Sequence, residues 1–257
     1  MKLLTLNCHS WQEENQIDKI KYLAKIIIEK DYDVIALQEV SQSVSAESVD
    51  SKLKKDNFAL LLQQELDEYN FYWDFSHIGY DIYEEGLAIF TKHKIINFES
   101  FFITKNEDRS YWKTRKIIKM TISYNGKDLD FYSCHVGWWN DEEEPFKNQI
   151  DNIMKKVNDT TTFLMGDFNN NAFIKCEGYD YLMEKGLKDL YLLSEEKDSG
   201  VTVKGKIAGW DENEEKLRLD LMLSNKDIKV KTSKVVFNGK NKDIISDHYG
   251  VESDIDI

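Results

Sequence analysis

The sequence predicts an α/β fold, and three observations carry that prediction. Short apolar runs that read as buried strands alternate with segments of helical spacing along the chain. Acids, amides and imidazoles stand at or just after the ends of those runs: Asn7 after Lys2–Leu6, Glu39 after Val34–Leu37, His135 after Leu129–Tyr132 and Asp167 after Thr161–Met165. Asp220 lies inside the run Leu219–Leu223, and Asp247 with His248 completes the set near the C-terminus. Side chains at the ends of separate strands are how a sheet gathers one polar site from distant sequence. Desolvating so many polar groups costs free energy unless pairing or a cation offsets it, so the pattern points to a metal-dependent active site.

The elements follow in order. After the first strand, Asn15–Lys30 places Ile17, Ile20, Leu23, Ala24, Ile27 and Ile28 at helical spacing. Strand Val34–Leu37 comes next, then a polar stretch with a helix around Asn57–Leu66. Tyr69–Ser76, Glu85–Thr91, Ile95–Ile103, Arg115–Tyr124 and Leu129–Tyr132 read as successive strands, and Asn125-Gly126 supplies a hairpin turn between the last two. Pro145 stands at the start of a helix over Phe146–Val157, and the acidic run Asp141–Glu144 before it reads as a solvated entry suited to a positive helix end. From there strand, helix and strand alternate up to Val251. No linker rich in Gly, Ser or Pro interrupts the 257 residues, and the polar set spans nearly all of them, so one domain over 1–257 is expected.

Composition narrows the partners. With 34 Lys and Arg against 47 Asp and Glu, the net charge is −13. A protein that grips long stretches of phosphodiester backbone normally shows a basic face, so nucleic acid is disfavoured and a small anionic substrate is expected. No apolar run approaches the length of a membrane span, and Met1–Leu6 is too short for a secretory core, so no membrane partner is expected. The odd set Cys8, Cys134 and Cys176 lacks metal-ligand spacing and reads as free buried thiols in a reduced, cytoplasmic protein.

Seven short motifs run from one end of the chain to the other: Leu4-Thr5-Leu6-Asn7, Leu37-Gln38-Glu39-Val40, Glu85-Gly86-Leu87-Ala88-Ile89-Phe90, Ser133-Cys134-His135, Gly166-Asp167-Phe168-Asn169, Arg218-Leu219-Asp220 and Ser246-Asp247-His248. Each is weak alone, but in this order and spacing the chain resembles the endonuclease/exonuclease/phosphatase superfamily. The resemblance implies a four-layer α/β/β/α sandwich of two mixed sheets (DNase I-like), with the site at one end. It implies Mg²⁺, with Mn²⁺ as a substitute, bound by Glu39 with Asn7 and Asp247 close to the same ion, which suits hard oxygen ligands. It further implies that Asp167 orients or deprotonates the attacking water and Asn169 donates to the phosphate or steadies the ion. His135 and His248 then donate to phosphoryl oxygens, with Asp220 holding the imidazole of His248. Asn170 and Asn171 are expected in a solvated loop.

Substrate selection points to the residues around these motifs. Trp138 and Trp139 follow His135 directly, and neighbours in a strand point to opposite faces, so a loop beside the site presenting both as an aromatic platform is expected. Trp210, in the Gly209-Trp210-Asp211 turn, either joins that rim or plugs the end of the sandwich. His9 is a further rim candidate. Arg115 is a candidate cation for a dianionic phosphate. The Trp pair and the segment Lys206-Ile207-Ala208-Gly209-Trp210 are most similar to the bacterial maltose 6′-phosphate phosphatases, which implies a phosphorylated disaccharide as substrate. A metal-dependent nuclease, a sphingomyelinase-like phosphodiesterase and a non-catalytic binding module are the alternatives, in falling order.

Overall fold

The computed structural model describes residues 1–207, 209–210 and 212–257. The first half of the chain runs β1 (Lys2–Asn7), α1 (Gln16–Lys30), β2 (Val34–Ser43), α2 (Phe58–Gln63), β3 (Asn70–Gly79), β4 (Tyr83–Thr91), β5 (Lys94–Phe102), β6 (Lys116–Tyr124) and β7 (Lys127–His135). The second half runs α3 (Phe146–Met154), β8 (Thr161–Asp167), α4 (Gly178–Glu184), β9 (Lys188–Asp189), α5 (Leu190–Leu193) and β10 (Ser194–Lys197). It ends with β11 (Val203–Lys204), β12 (Lys216–Leu217), β13 (Asp220–Ser224), β14 (Lys229–Val236) and β15 (Gly250–Asp256).

Two mixed sheets result. One has seven strands in the order β10-β14-β15-β1-β2-β4-β3, and the other six in the order β5-β6-β7-β8-β13-β9. The period-2 alternation of the strands explains why the sheets stack. In β1, β2 and β4 the residues Leu3, Val34, Ala36, Leu87 and Ile89 face the second sheet, where they meet Ile118, Met120, Phe131, Phe163 and Met165. Their neighbours Leu4, Leu6, Ile35, Leu37, Ala88 and Phe90 face the other way, onto α1 and α2. On the far side, Ile117, Tyr132, Cys134, Leu164 and Leu221 pack under α3 and α4. The three apolar layers therefore make the expected four-layer α/β/β/α sandwich, the DNase I-like fold. Each fully buried Leu, Ile or Phe contributes about 1.5–3 kcal/mol to holding the layers together.

The local signals act as their chemistry requires. Asn57 caps α2 by accepting from the Leu60 amide, and Asn125 and Gly126 both take positive φ in the β6–β7 turn, the geometry a two-residue hairpin favours. Helices are shorter than their apolar spacing suggests: α2 stops at Gln63 and α3 at Met154. Three expectations are corrected. Cys176 is exposed, while Cys8 and Cys134 are buried. Asn170 and Asn171 are buried, because Asn170 donates to the carbonyls of Gly137 and Phe168 and Asn171 accepts from the Phe173 and Arg218 amides. The acidic run is a loop tie: Asp141 pairs with Lys113 and accepts from the Glu143 and Glu144 amides, and buried Glu144 accepts from the amides of Lys105 and Asn106.

Candidate active site

Strand register assembles one end of the sandwich into a polar site. Parallel pairing of β7 with β8 sets His135 beside Asp167, and antiparallel pairing of β8 with β13 sets Asp220 on the other side of Asp167. In the facing sheet, β1 runs parallel to β2 and ends at Asn7, one strand from Glu39. Glu39 occupies the bulge where the β2–β4 register shifts between Leu37 and Val40, and its φ is +50°. A bulge re-aims a side chain, and a non-glycine residue at positive φ persists only where its surroundings over-determine it. Here Asn7 Nδ2 donates to Glu39 Oε1 at 2.8 Å and lies 3.2 Å from Asp167 Oδ2, joining the two sheets through one amide. Gly166 lets β8 approach β7: a Cβ there would stand 2.0 Å from the carbonyl oxygen of Cys134.

The C-terminal motif closes over this set. Ser246 Oγ donates to the carbonyl of Asn7 at 2.7 Å, which ties the segment to the end of β1. His248 Nδ1 lies 2.9 Å from Asp220 Oδ2, leaving Nε2 3.8 Å from Asp167 Oδ2. Burial opposes charge on His248, yet the carboxylates of Asp220 and Asp167 outweigh it and push its pKa well above the ordinary imidazole range. His135 goes the other way, held neutral by burial and by the Arg115 guanidinium. Its Nε2 lies 3.8 Å from Glu39 Oε1 and 3.7 Å from Asp167 Oδ2. Burial lifts Asp167 to about 7, with Asp220 adding to the shift against the opposing pull of His248. Glu39 is raised as well, by burial and by the charge of Asp247.

Those raised carboxylates test the metal. Glu39 and Asp167 share Asn7 as a donor, converge with His135 within ligand distance of one another, and make no ion pair with Lys or Arg among the described residues. Buried acids so placed are destabilised as anions unless a cation joins them, and their oxygens are the hard donors a divalent ion such as Mg²⁺ takes. The residues fit such an ion. Asn7 stands beside these groups: its Oδ1 accepts from the His9 amide and its Nδ2 faces the carboxylates of Glu39 and Asp167.

Of these groups Glu39, His135, Asp167, Asp247 and His248 line a cavity of about 500 Å³. Asn169, at φ +49°, accepts from the Trp210 indole at 3.3 Å and uses one amide hydrogen on the carbonyl of Val136. His9 lies on the wall, hydrogen-bonded to Glu13. Burial works against its charge, but Glu13 and Asp247 outweigh burial and raise it to about 9. Arg115 and Trp138 also line the cavity, the guanidinium 6.0 Å from the indole ring. Trp139 does not: it turns outward onto Phe146 and Tyr181, with ring centroids 5.9 and 6.2 Å away. Adjacent residues take opposite faces even in this loop, so the pair is one wall residue and one packing residue. Trp210 packs with Ile207 against Val203, Leu217 and Leu219 and reaches the site only through Asn169. Ala208 and Asp211, part of the motif segment read from the sequence, lie outside the described residues. Sequence reasoning missed His77, Tyr80, Trp112 and the side chain of Glu85, all on the cavity wall. For Glu85 the alternation of β4 was an available signal, since it stands in phase with Leu87 and Ile89 on the face toward the second sheet, whereas His77 reaches that face only through the register shift in β3.

The family model described as endonuclease/exonuclease/phosphatase family matches residues 5–248. No curated protein matches the chain in sequence. A solved endonuclease/exonuclease/phosphatase family protein from Leptotrichia buccalis C-1013-b is 42% identical, with a TM-score of 0.94 over 100% of both chains. The mannosyl-6-phosphatase Bt3783 of Bacteroides thetaiotaomicron VPI-5482 is 15% identical, with a TM-score of 0.74 over 100% of both chains. A conserved protein of unknown function from Enterococcus faecalis V583 is 17% identical, with a TM-score of 0.71 over 100% of this chain and 99% of that one. At such identities the last two share the fold. By the family match and the 42% relative, this chain belongs to the endonuclease/exonuclease/phosphatase family and is a phosphoester hydrolase.

Proposed function

We propose that the chain is a metal-dependent phosphomonoesterase acting in the cytoplasm on a small phosphorylated sugar, with a disaccharide phosphate such as maltose 6′-phosphate as the leading candidate. The observation that carries this reading is the cavity itself. Its volume of about 500 Å³ suits a small molecule, and Arg115 is the sole Lys or Arg among its described lining residues. A cavity with a single guanidinium suits a small anion, whereas a polynucleotide would call for basic surface along the strand. The net charge of −13 and the aromatic wall at Trp138 agree with that choice.

In this mechanism Glu39, beside Asp167, would hold the ion, with the charge of Asp247 and the amide of Asn7 next to it. Bound there, the metal supplies positive charge to a phosphoryl or leaving oxygen. Asp167 accepts a proton from the water that attacks phosphorus in line, and an acid lifted toward neutrality is a better base than an ordinary carboxylate. His248, held by Asp220, offers Nε2–H to a non-bridging oxygen, and Asn169 and His135 add neutral donors beside it. His9 stands as a cation on the wall toward the rest of the substrate.

The measurement, with Mg²⁺ and with EDTA, is phosphate release from glucose 6-phosphate and maltose 6′-phosphate, with strand cleavage of duplex DNA containing an abasic site and phosphocholine release from sphingomyelin followed beside it. Metal-dependent release from the sugar phosphates, with polymer and lipid untouched, is the expected result. Cleavage of DNA or sphingomyelin without sugar-phosphate turnover would replace this reading with a phosphodiesterase.

A further inference from the structure

Part of the cavity wall, formed by β3, β4 and Arg115, holds hydrogen-bonding groups outside the metal cluster. Glu85, on β4, and His77, paired with it across the sheet on β3, are both buried and both face the cavity. A register shift between Phe75 and His77 puts the imidazole on the same face as the carboxyl. His77 Nδ1 lies 3.2 Å from the carbonyl of Thr114 and 3.5 Å from Arg115 Nη1; with the proton on Nδ1, donated to that carbonyl, Nε2 is left as an acceptor. That Nε2 stands 3.5 Å from Glu85 Oε1, too far for a good hydrogen bond. Gly79 leaves room beside the carboxyl: a Cβ there would stand 3.2 Å from Glu85 Oε2.

The charges agree with the geometry. His77 is held neutral, its pKa lowered to about 3 by burial and by Arg115. Glu85 is raised to about 8 by burial and by the charge of Glu39. Ionised, the carboxyl offers only acceptors to the cavity; protonated, it adds one O–H donor. With the carboxyl ionised, its oxygens and His77 Nε2 are acceptors that donors of a ligand can fill. Beside them, Arg115 Nε is a buried donor with no partner among the described residues. Trp138 presents an indole face beside it, with Trp112 6.0 Å away at 56°.

We infer that Glu85, His77 and Arg115, with Trp138 as the apolar floor, form a hydroxyl-binding subsite that selects a pyranose carrying the scissile phosphate. Ring hydroxyls donate to Glu85 and to His77 Nε2, accept from Arg115, and leave the C–H face of the ring on the indole. A guanine base also offers paired donors to a carboxylate. The tilt between Trp112 and Trp138 makes an angled corner, however, and a flat base would prefer a parallel slot. The subsite rests on the sugar-phosphate reading above and names the residues that would enforce it.

The test compares Glu85→Gln and His77→Gln with the unaltered protein on four substrates: glucose 6-phosphate, maltose 6′-phosphate, p-nitrophenyl phosphate, which carries no hydroxyls, and GMP. Thermal midpoints confirm that each variant folds. A site built to bind hydroxyls loses far more with its own ligand than with one lacking them. The expected result is a fall in kcat/KM on a sugar phosphate at least about tenfold greater than the fall on p-nitrophenyl phosphate. Equal losses on all four would make the pair part of the catalytic machinery and overturn the subsite. So would unchanged sugar-phosphate turnover, or a loss confined to GMP. The unaltered protein separates the two levels of failure. If it hydrolyses p-nitrophenyl phosphate or GMP but no sugar phosphate, the sugar reading falls and the subsite with it. If it hydrolyses sugar phosphates and the variants keep the same substrate ratio, the subsite alone falls.

Discussion

The two poles of the cavity differ in how they are built. At one pole, Asn7, Glu39, His135, Asp167, Asp220, Asp247 and His248 come from strand ends and the C-terminal segment, and they are tied to one another. Asn7 bridges Glu39 and Asp167, Asp220 holds His248, and Ser246 fastens the segment to β1. At the other pole His77, Glu85, Arg115 and Trp138 touch loosely, with a guanidinium nitrogen unpartnered among the described residues and His77 Nε2 3.5 Å from Glu85 Oε1. A pole whose groups satisfy each other is pre-organised for a fixed chemical step. A pole whose groups await partners is set up for a ligand, and there a family can change substrate without rebuilding the reaction.

The sharpest way to break this division is Asp167→Asn. It should lower kcat by about 10²–10⁴-fold on every substrate alike, in the range of a lost general base, and leave KM little altered. A loss that differs between sugar and aryl phosphates would place Asp167 in substrate selection and dissolve the two-pole picture. Next in size is Trp138→Ala, which removes the indole floor. We expect KM for the sugar phosphates to rise about tenfold, matching ~1.4 kcal/mol, with kcat changed less. The smallest kinetic effect belongs to its neighbour. Trp139→Ala should leave KM within about twofold, yet cost roughly 2 kcal/mol of stability, less than a fully buried Trp because the ring is only half-buried. For a chain of this size that corresponds to a drop of roughly 4–8 °C in Tm. Identical kinetic effects in the two Trp variants would mean that the loop moves as a unit.

The tied pole was legible in the sequence because strand ends are fixed by alternation and each catalytic group follows an apolar run. The layers were legible for the same reason: Leu3, Ala36 and Leu87 can only face one sheet if Leu4, Leu37 and Ala88 face the helices. What escaped was whatever depends on a shift of register or on burial inside loops. The β3 bulge turns His77 toward the cavity, and no run of apolar residues announces it. Asn170, Asn171 and Glu144 look like solvated loop residues, but each satisfies backbone groups that the packed loops would otherwise leave unpaired. The Trp pair was half legible: alternation argued that two neighbours cannot share a face, and it applied within the loop as well.

That dipeptide has a consequence for how selectivity can drift. Trp138 borders the cavity, while Trp139 is wedged between α3 and α4 through Phe146 and Tyr181. The two rings share one stretch of backbone. Substitutions on the outer helices that reseat Trp139 therefore reach the indole beside the substrate without altering any residue that touches it. Sequence change on the side of the molecule farthest from the partner sheet becomes a quiet source of new preferences, and a search for specificity determinants confined to the cavity would overlook it.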